Sequence, residues 1–406
     1  MKTISTGSWA NEIVIKEYEK FDSVIDGIDD ETVESLSKFL DFVPIGEGSY
    51  KIIAKSYVGL VKIRDDLVVN ILPKIEMNNL LIMLNYTYDV PFIMEKKAML
   101  AESKLLVKFL IRIFLEKTRE LVYKSYRKSY LTTQENRRAL KGRVLIKDNL
   151  RANRFHLDRI FCEFDDFTDD IPINRTIKYV LYLLFHIDDG EFSRELRHVF
   201  SLFKNVSLVP VTVEDIDLVR YTRLNEAYKP VHMLCRLFVQ NIFVSHKIGE
   251  QRMFCFVIEM NRLFEEFVRS VFRRFSSYRV MGHPRRKYLD ETRLVRIKPD
   301  IRFVKEGEEL LVVDCKYKKL KKMEDDIENA QIINSDVYQI LAYMVGYNLK
   351  KGMLIYPKGE VEKETEANIE LNGILRKIFV KPMDLNEIQK THLQDFTKEV
   401  ESVIII

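Results

Sequence analysis

Two short stretches of the sequence carry residue types suited to binding a cation and moving a proton. Lys298-Pro-Asp300 opens one extended stretch, and Leu311-Val-Val-Asp314-Cys-Lys316 closes another. Side chains on a strand repeat every two residues, so Asp314 and Lys316 share one face, and Val313 and Cys315 the other. A Lys-Glu-Gly-Glu turn at 305–308 joins the stretches as a hairpin, which brings Asp300 beside Asp314. Two adjacent carboxylates are costly unless a cation lies between them. Mg²⁺ takes oxygen ligands and keeps several waters, so the Asp pair and the backbone carbonyl of Cys315 form an expected Mg²⁺ site, with Mn²⁺ able to substitute. The chemistry expected there is in-line attack of a metal-bound water on phosphorus. Lys316 would orient that water or stabilise charge developing on the phosphate. An isolated Asp…Asp-x-Lys is usually an ordinary hairpin with an exposed ion pair. Here Asp314 follows a Leu-Leu-Val-Val run, where a surface charge is out of place.

Two helices must flank the hairpin for this chemistry to work. Before it, Met260, Leu263, Phe264, Phe267, Val268, Val271 and Phe272 recur at i, i+3, i+4 and i+7. Glu265 sits near the edge of that stripe and is a candidate third carboxylate, whereas Glu266 lies further round, toward solvent. After the hairpin, DVYQILAY at 336–343 predicts a helix over 335–347. Gln339 and Tyr343 are i and i+4 and share a face. They can hold phosphate or the lysine, while Val337, Ile340, Leu341 and Met344 pack on the sheet. A strand at 352–356 completes an α-β-β-α-β order, that of a mixed sheet flanked by helices. Arg285, Arg286, Lys287, Lys318 and Lys319 lie around the motif and are candidates for contact with a DNA backbone. His283 has no partner pattern and reads as structural or solvent-exposed.

The rest of the chain is poor in chemistry. Residues 12–75 read mainly as strands with one helix over 30–40, and 51–55, 59–63 and 67–72 as a small β-meander turning at Asp65-Asp66. From about 80 to 130 the spacing is helical, with further helices at 174–185 and 230–244 and a short strand at 142–146. This gives a multidomain α+β or α/β chain. The expected division is a β-rich domain over 1–80, a mainly helical region over 81–248 and a mixed-sheet domain flanked by helices over 249–406. Lys and Arg number 65 against 61 Asp and Glu, a net charge of +4, so any nucleic-acid contact must come from local patches. The four cysteines form no CxxC pair, which argues against a zinc ribbon or a disulfide framework and fits a reducing, cytoplasmic setting. No stretch approaches the length of an apolar membrane span, and no GxxxxGK[ST] pattern for nucleotide hydrolysis is present.

The Pro-Asp, thirteen residues, then Asp-x-Lys arrangement, with a Glu helix before it and a QxxxY helix after it, resembles the PD-(D/E)xK nucleases of the RecB-like branch. The strings MNRLFEEFV at 260–268, KPDI at 298–301, VDCKYK at 313–318 and DVYQILAY at 336–343 narrow the resemblance to the McrC family. YVG at 57–59, ILPKI at 71–75, KGR at 141–143, Cys162 with Asp165 and Asp166, PINR at 172–175 and LNEAY at 224–228 are also similar to that family. The resemblance spans about residues 50 to 360. It implies a restriction-endonuclease-like C-terminal domain that cuts DNA with Mg²⁺. It also implies an N-terminal half that docks on a McrB-type AAA+ GTPase hexamer and stimulates it, the partner reading modified cytosine in double-stranded DNA. Two other readings stay open: a non-catalytic activator of such a ring, and a stand-alone RecB-like nuclease. The iron–sulfur versions of the latter need cysteines beyond the QxxxY helix, and this chain has none after Cys315.

Overall fold

The computed structural model describes residues 11–64, 66–96, 105–156, 158–246, 252–284, 286–318, 334–361, 363–386 and 388–405. The chain forms two compact units. One comprises residues up to Leu105 together with Phe243 onward, and the other runs from Leu106 to Ile242. This differs from the consecutive division into 1–80, 81–248 and 249–406. The reason is strand pairing: Arg252–Glu259 lies antiparallel against Tyr57–Arg64, with Val257 opposite Gly59. A sheet in the order Asn11–Lys16, Leu67–Leu72, Tyr57–Arg64, Arg252–Glu259, Ile242–His246 therefore joins the start of the chain to its last third.

Gly59 makes this pairing possible. Its φ is +138°, and a Cβ there would lie 2.2 Å from the carbonyl oxygen of Phe256. Only a residue without a side chain lets the backbones approach so closely. Beneath the sheet, Ile15, Val61, Val69, Cys255 and Val257 share a core with Leu36, Phe39, Leu40 and Ile52. Leu36 belongs to the helix Asp30–Leu36, where the Asp29 side chain accepts from the Thr32 N–H at 2.7 Å and caps the first turn. The strand Ser49–Ala54 pairs with Ile25–Asp26 and Leu40–Gly46 in a separate small sheet, so 51–55 is not part of one meander with 59–63 and 67–72.

The larger sheet of this unit has six strands, in the order Arg279–Met281, Ile301–Lys305, Glu308–Cys315, Lys351–Pro357, Ile374–Met383, Thr365–Leu371. Ile301–Lys305 and Glu308–Cys315 form the expected antiparallel hairpin, and Lys351–Pro357 adds in parallel to the second of them. Glu306 and Gly307, at the turn, have φ of 53° and 91°, the left-handed pair that suits a tight hairpin. One face of the sheet receives the helix Met260–Phe275, whose buried residues are the seven of its apolar stripe. Phe272 meets Phe303 at 5.2 Å and Phe396 of the helix Lys390–Ile405 at 6.1 Å between ring centroids. Against Val312, Leu354 and Ile378, the helix Asn334–Gly346 buries Ile340 and Met344.

The unit of residues 106–242 combines helices with a three-stranded antiparallel sheet. Its longest helices, Leu106–Ser125, Pro172–Ile187 and Lys229–Asn241, bury Phe114, Leu181, Leu184, Leu234 and Phe238 completely. The sheet pairs Ser129–Arg137 with Ile160–Thr168 over nine positions and adds Arg143–Val144. Arg143–Val144 falls within the short strand expected at 142–146, whereas a mainly helical reading of 81–248 did not anticipate Ser129–Arg137 or Ile160–Thr168. Among the described residues, no helix is long and apolar enough to cross a membrane.

Candidate active site

The hairpin register builds the site. Ile301 faces Val313, so Asp300, one residue before its strand, falls opposite Asp314 at the end of the other. The Asp300 carboxylate accepts the Cys315 N–H through Oδ2 at 2.8 Å. The Lys316 N–H donates to the carbonyl of Ile355 at 2.9 Å, which carries the parallel pairing one residue past the strand. Lys316 therefore leaves the sheet with its backbone fixed and its side chain on the face of Asp314. Its ammonium lies 2.5 Å from Oδ2 of Asp314 and donates to Oε1 of Gln339 at 2.6 Å. Gln339 in turn donates to the hydroxyl of Tyr343 at 2.8 Å. The i, i+4 pair thus holds the lysine, one of the two partners its spacing allowed.

Asp336, one turn before Gln339, is 2% exposed. It accepts from the Tyr356 hydroxyl at 2.8 Å and from the Lys318 ammonium at 2.7 Å, and lies 4.0 Å from the Lys316 ammonium. Glu265 projects from the other helix. Its Oε1 contacts the guanidinium of Arg269 and lies 2.9 Å from Nε2 of His283. The opposite ring nitrogen of His283, Nδ1, is 3.1 Å from the carbonyl oxygen of Pro299. The ring is half-buried beside the cluster, so it is not simply exposed to solvent. No spacing rule links it to Asp300. It reaches the site because the strand Arg279–Met281 pairs with Ile301–Lys305 and delivers the following loop there.

Burial shapes the electrostatics. Asp300 has its pKa raised to about 8, chiefly by burial, then by the charges of Asp314 and Glu265. Asp314, 2% exposed, is also raised by burial, against the pull of Lys316. Burial would raise Glu265 too, but its hydrogen bond with His283 and the charge of Arg269 outweigh it and hold that carboxyl below its usual range. Lys316 is raised: burial opposes its charge, and Asp314 more than compensates. Apart from the ion contact with Lys316, Oδ2 of Asp314 is buried without a hydrogen bond. Such a cluster is costly as it stands and would be relieved by a cation. Ligand atoms of Glu265, His283 and Asp300 lie within 4.8 Å of one another. A hard divalent ion suits the carboxylates and the Cys315 carbonyl, and imidazole can join it.

The structure thus brings together Asp300, Asp314, Cys315, Lys316, Glu265, Gln339 and Tyr343, and adds His283 and Asp336. The basic residues are dispersed. Arg286 is exposed, Lys287 lies over the Tyr347 ring at 5.2 Å, and Lys318 is paired with Asp336. Arg285 and Lys319 lie outside the described residues.

The fold and site together define a mixed α+β protein with a cluster of buried acids and one lysine at the strand ends of its larger sheet. The chain belongs to the family of McrBC 5-methylcytosine restriction system components, whose model matches residues 52–357. In fold it is similar to a chain from the refined half-complex of a tetradecameric assembly of Thermococcus gammatolerans McrB AAA+ hexamers with bound McrC. The TM-score is 0.60 and the identity 18%, covering 97% of this chain and 100% of that one. A chain of the Thermococcus gammatolerans McrBC complex is 21% identical, with a TM-score of 0.45 over 66% of this chain and 89% of that one. No curated protein matches.

Proposed function

We propose that this chain is the Mg²⁺-dependent DNA endonuclease subunit of a McrBC-type modification-dependent restriction complex, with an active site of the PD-(D/E)xK kind. The observation that carries this reading is the register that sets Asp300 opposite Asp314, with Lys316 beside them and anchored by Gln339. Asp300, Asp314 and the Cys315 carbonyl would hold the ion, and Glu265 and His283 would add to its ligands. The Nδ1–H of His283, donated to the Pro299 carbonyl, leaves Nε2 as the ligand atom. When bound, Mg²⁺ would supply positive charge to a phosphate oxygen and lower the pKa of a water. Lys316 would orient the attacking water and meet the charge that develops on phosphate. Gln339 and Tyr343 restrict the lysine to the rotamer this requires, and Asp336 holds Lys318 and Tyr356 behind it.

The remaining parts of the proposal concern the partner. The fold likeness to a chain from a McrB–McrC assembly supports a McrB-type AAA+ GTPase as the protein on which this chain works, docked through the N-terminal half and stimulated by it. Double-stranded DNA bearing modified cytosine would be recognised by that partner, in the cytoplasm. The test is cleavage of methylated plasmid by the assembled complex with GTP and Mg²⁺. Asp314→Asn and Lys316→Ala should each lower cleavage by at least about a thousandfold while GTP hydrolysis continues. Cleavage at the wild-type rate by either variant would remove the catalytic assignment.

A further inference from the structure

Next to Lys316 in the chain lies a second polar cluster that the proposed chemistry does not use. Tyr317 follows the lysine directly and is 1% exposed. Its hydroxyl donates to Oε2 of Glu17 at 3.1 Å, a carboxyl that is itself only 3% exposed. Its carbonyl accepts from the Tyr18 hydroxyl at 3.3 Å. The Lys74 ammonium lies 4.2 Å from the centre of the Tyr317 ring and donates to Glu360 at 2.8 Å. That ammonium is also 3.5 Å from the carbonyl of Lys318, and the Lys74 N–H donates to Oε2 of Glu17 at 2.9 Å. Three consecutive residues are thus gripped along the backbone: Lys316 by its strand neighbour Ile355, Tyr317 by the side chain of Tyr18, and Lys318 by that of Lys74.

The cost of this arrangement argues that it has a purpose. Oε1 of Glu17 is buried with no hydrogen-bond partner. An apolar side chain of the same volume would fill the place without that penalty. Tyr18 also holds a φ of 62°, which a residue with a Cβ adopts at some strain. From this backbone position its hydroxyl donates to the Tyr317 carbonyl. The same layer also holds the glutamate helix: the Ser56 carbonyl accepts the Met260 N–H at 3.0 Å, and its hydroxyl donates to Asn261 at 3.2 Å. Tyr317 is joined directly to Lys316, and both lie just past the end of the strand Glu308–Cys315, so a shift of Tyr317 is passed along the backbone to Lys316.

We propose that Tyr317 is a positioning residue for the active-site lysine, and that Glu17, Tyr18 and Lys74, from the N-terminal part of the chain, set the placement of Lys316 through it. This rests on the reading of Lys316 as the lysine of a nuclease site. A displacement near 1 Å at a reacting group is enough to lower a rate roughly a hundredfold.

The experiment is single-turnover cleavage of saturating methylated DNA by the complex with its GTPase partner, with Lys316→Ala as the reference. Tyr317→Phe removes one oxygen and keeps the ring. Glu17→Leu removes the acceptor, whereas Glu17→Gln keeps an oxygen in the same place. Thr397→Val, a buried change on the C-terminal helix, serves as a control for lost stability. Tyr317→Phe and Glu17→Leu should lower the cleavage rate about ten- to a hundredfold with DNA affinity and GTP hydrolysis unchanged. Glu17→Gln should cut near the wild-type rate, and so should Thr397→Val. Wild-type rates in Tyr317→Phe and Glu17→Leu, alongside an inactive Lys316→Ala, would overturn the positioning role alone. An equal loss in Thr397→Val would also overturn it, by making the effect one of stability. Undiminished cleavage by Lys316→Ala would overturn the nuclease reading itself.

Discussion

Replacing Glu17 with glutamine should change stability in a way that depends on pH. Burial pushes the Glu17 carboxyl up from its ordinary 4.5 to about 7, against the lowering effect of the Lys74 N–H and charge and of the Tyr317 hydroxyl. The sign follows from proton counting. Between pH 4.5 and 7 the unfolded chain has released this proton and the folded chain has kept it, so stability falls as pH rises through that window. Below it neither state is ionised, and above it both are. At about 1.4 kcal/mol per pH unit, the full interval costs the folded state about 3 kcal/mol. The glutamine amide has the shape of the neutral acid and does not ionise. Glu17→Gln should therefore match the wild type near pH 4 and exceed it by about 3 kcal/mol at pH 8. Urea unfolding of both proteins at several pH values measures the gap, and the other titrating groups cancel in the difference. A gap that is constant with pH, or that closes as pH rises, would refute the reasoning.

Other outcomes follow from the site and the sheet. Mg²⁺ or Mn²⁺ at a hundred times its dissociation constant should stabilise the protein by about 2.7 kcal/mol, and Asp300→Asn should abolish that gain in a thermal-shift assay. His283→Ala should weaken cation affinity roughly ten- to a hundredfold in calorimetric titration, leaving the apo melting point nearly unchanged. Gly59→Ala should cost about 3 kcal/mol or more, because its Cβ would meet the Phe256 carbonyl oxygen at 2.2 Å. Its urea midpoint should fall accordingly. Arg286→Ala should reduce the slope of log affinity against log salt for DNA by about 0.9. Lys318→Ala should reduce it less, since its ammonium is committed to Asp336.

What could be read in the sequence was what local periodicity carries. Asp314 and Lys316 share a strand face by alternation, and a short turn places Asp300 across from them. Gln339 and Tyr343 share a helix face by i, i+4 spacing. The Glu helix was legible because seven apolar residues recur with the helical period. Contacts between distant segments left no such trace. Glu17 and Tyr317 are 300 positions apart, and His283 comes to Glu265 only through the strand that precedes it. The strand Arg252–Glu259 is a nearly continuous apolar run leading into a helix, and periodicity cannot separate such a run from the helix itself. Ser129–Arg137 is mostly polar and half-exposed, so it shows no apolar alternation to announce a strand. For the same reason the compact units could not be placed by reading along the chain.

The insertion of residues 106–242 within the other unit has a consequence in time. A ribosome delivers residues at about 5–20 per second. The strand Tyr57–Arg64 is made early, yet one of its neighbours, Arg252–Glu259, emerges about two hundred residues later, after roughly 10–40 s. Until then one edge of an apolar strand stays open, a state that invites aggregation and that chaperones shield. The inserted unit is continuous in sequence and can finish folding during that wait. Asp300 and Asp314 emerge later still. A nascent chain therefore cannot bring Asp300 opposite Asp314 until most of it has been synthesised, so the proposed site assembles late in synthesis.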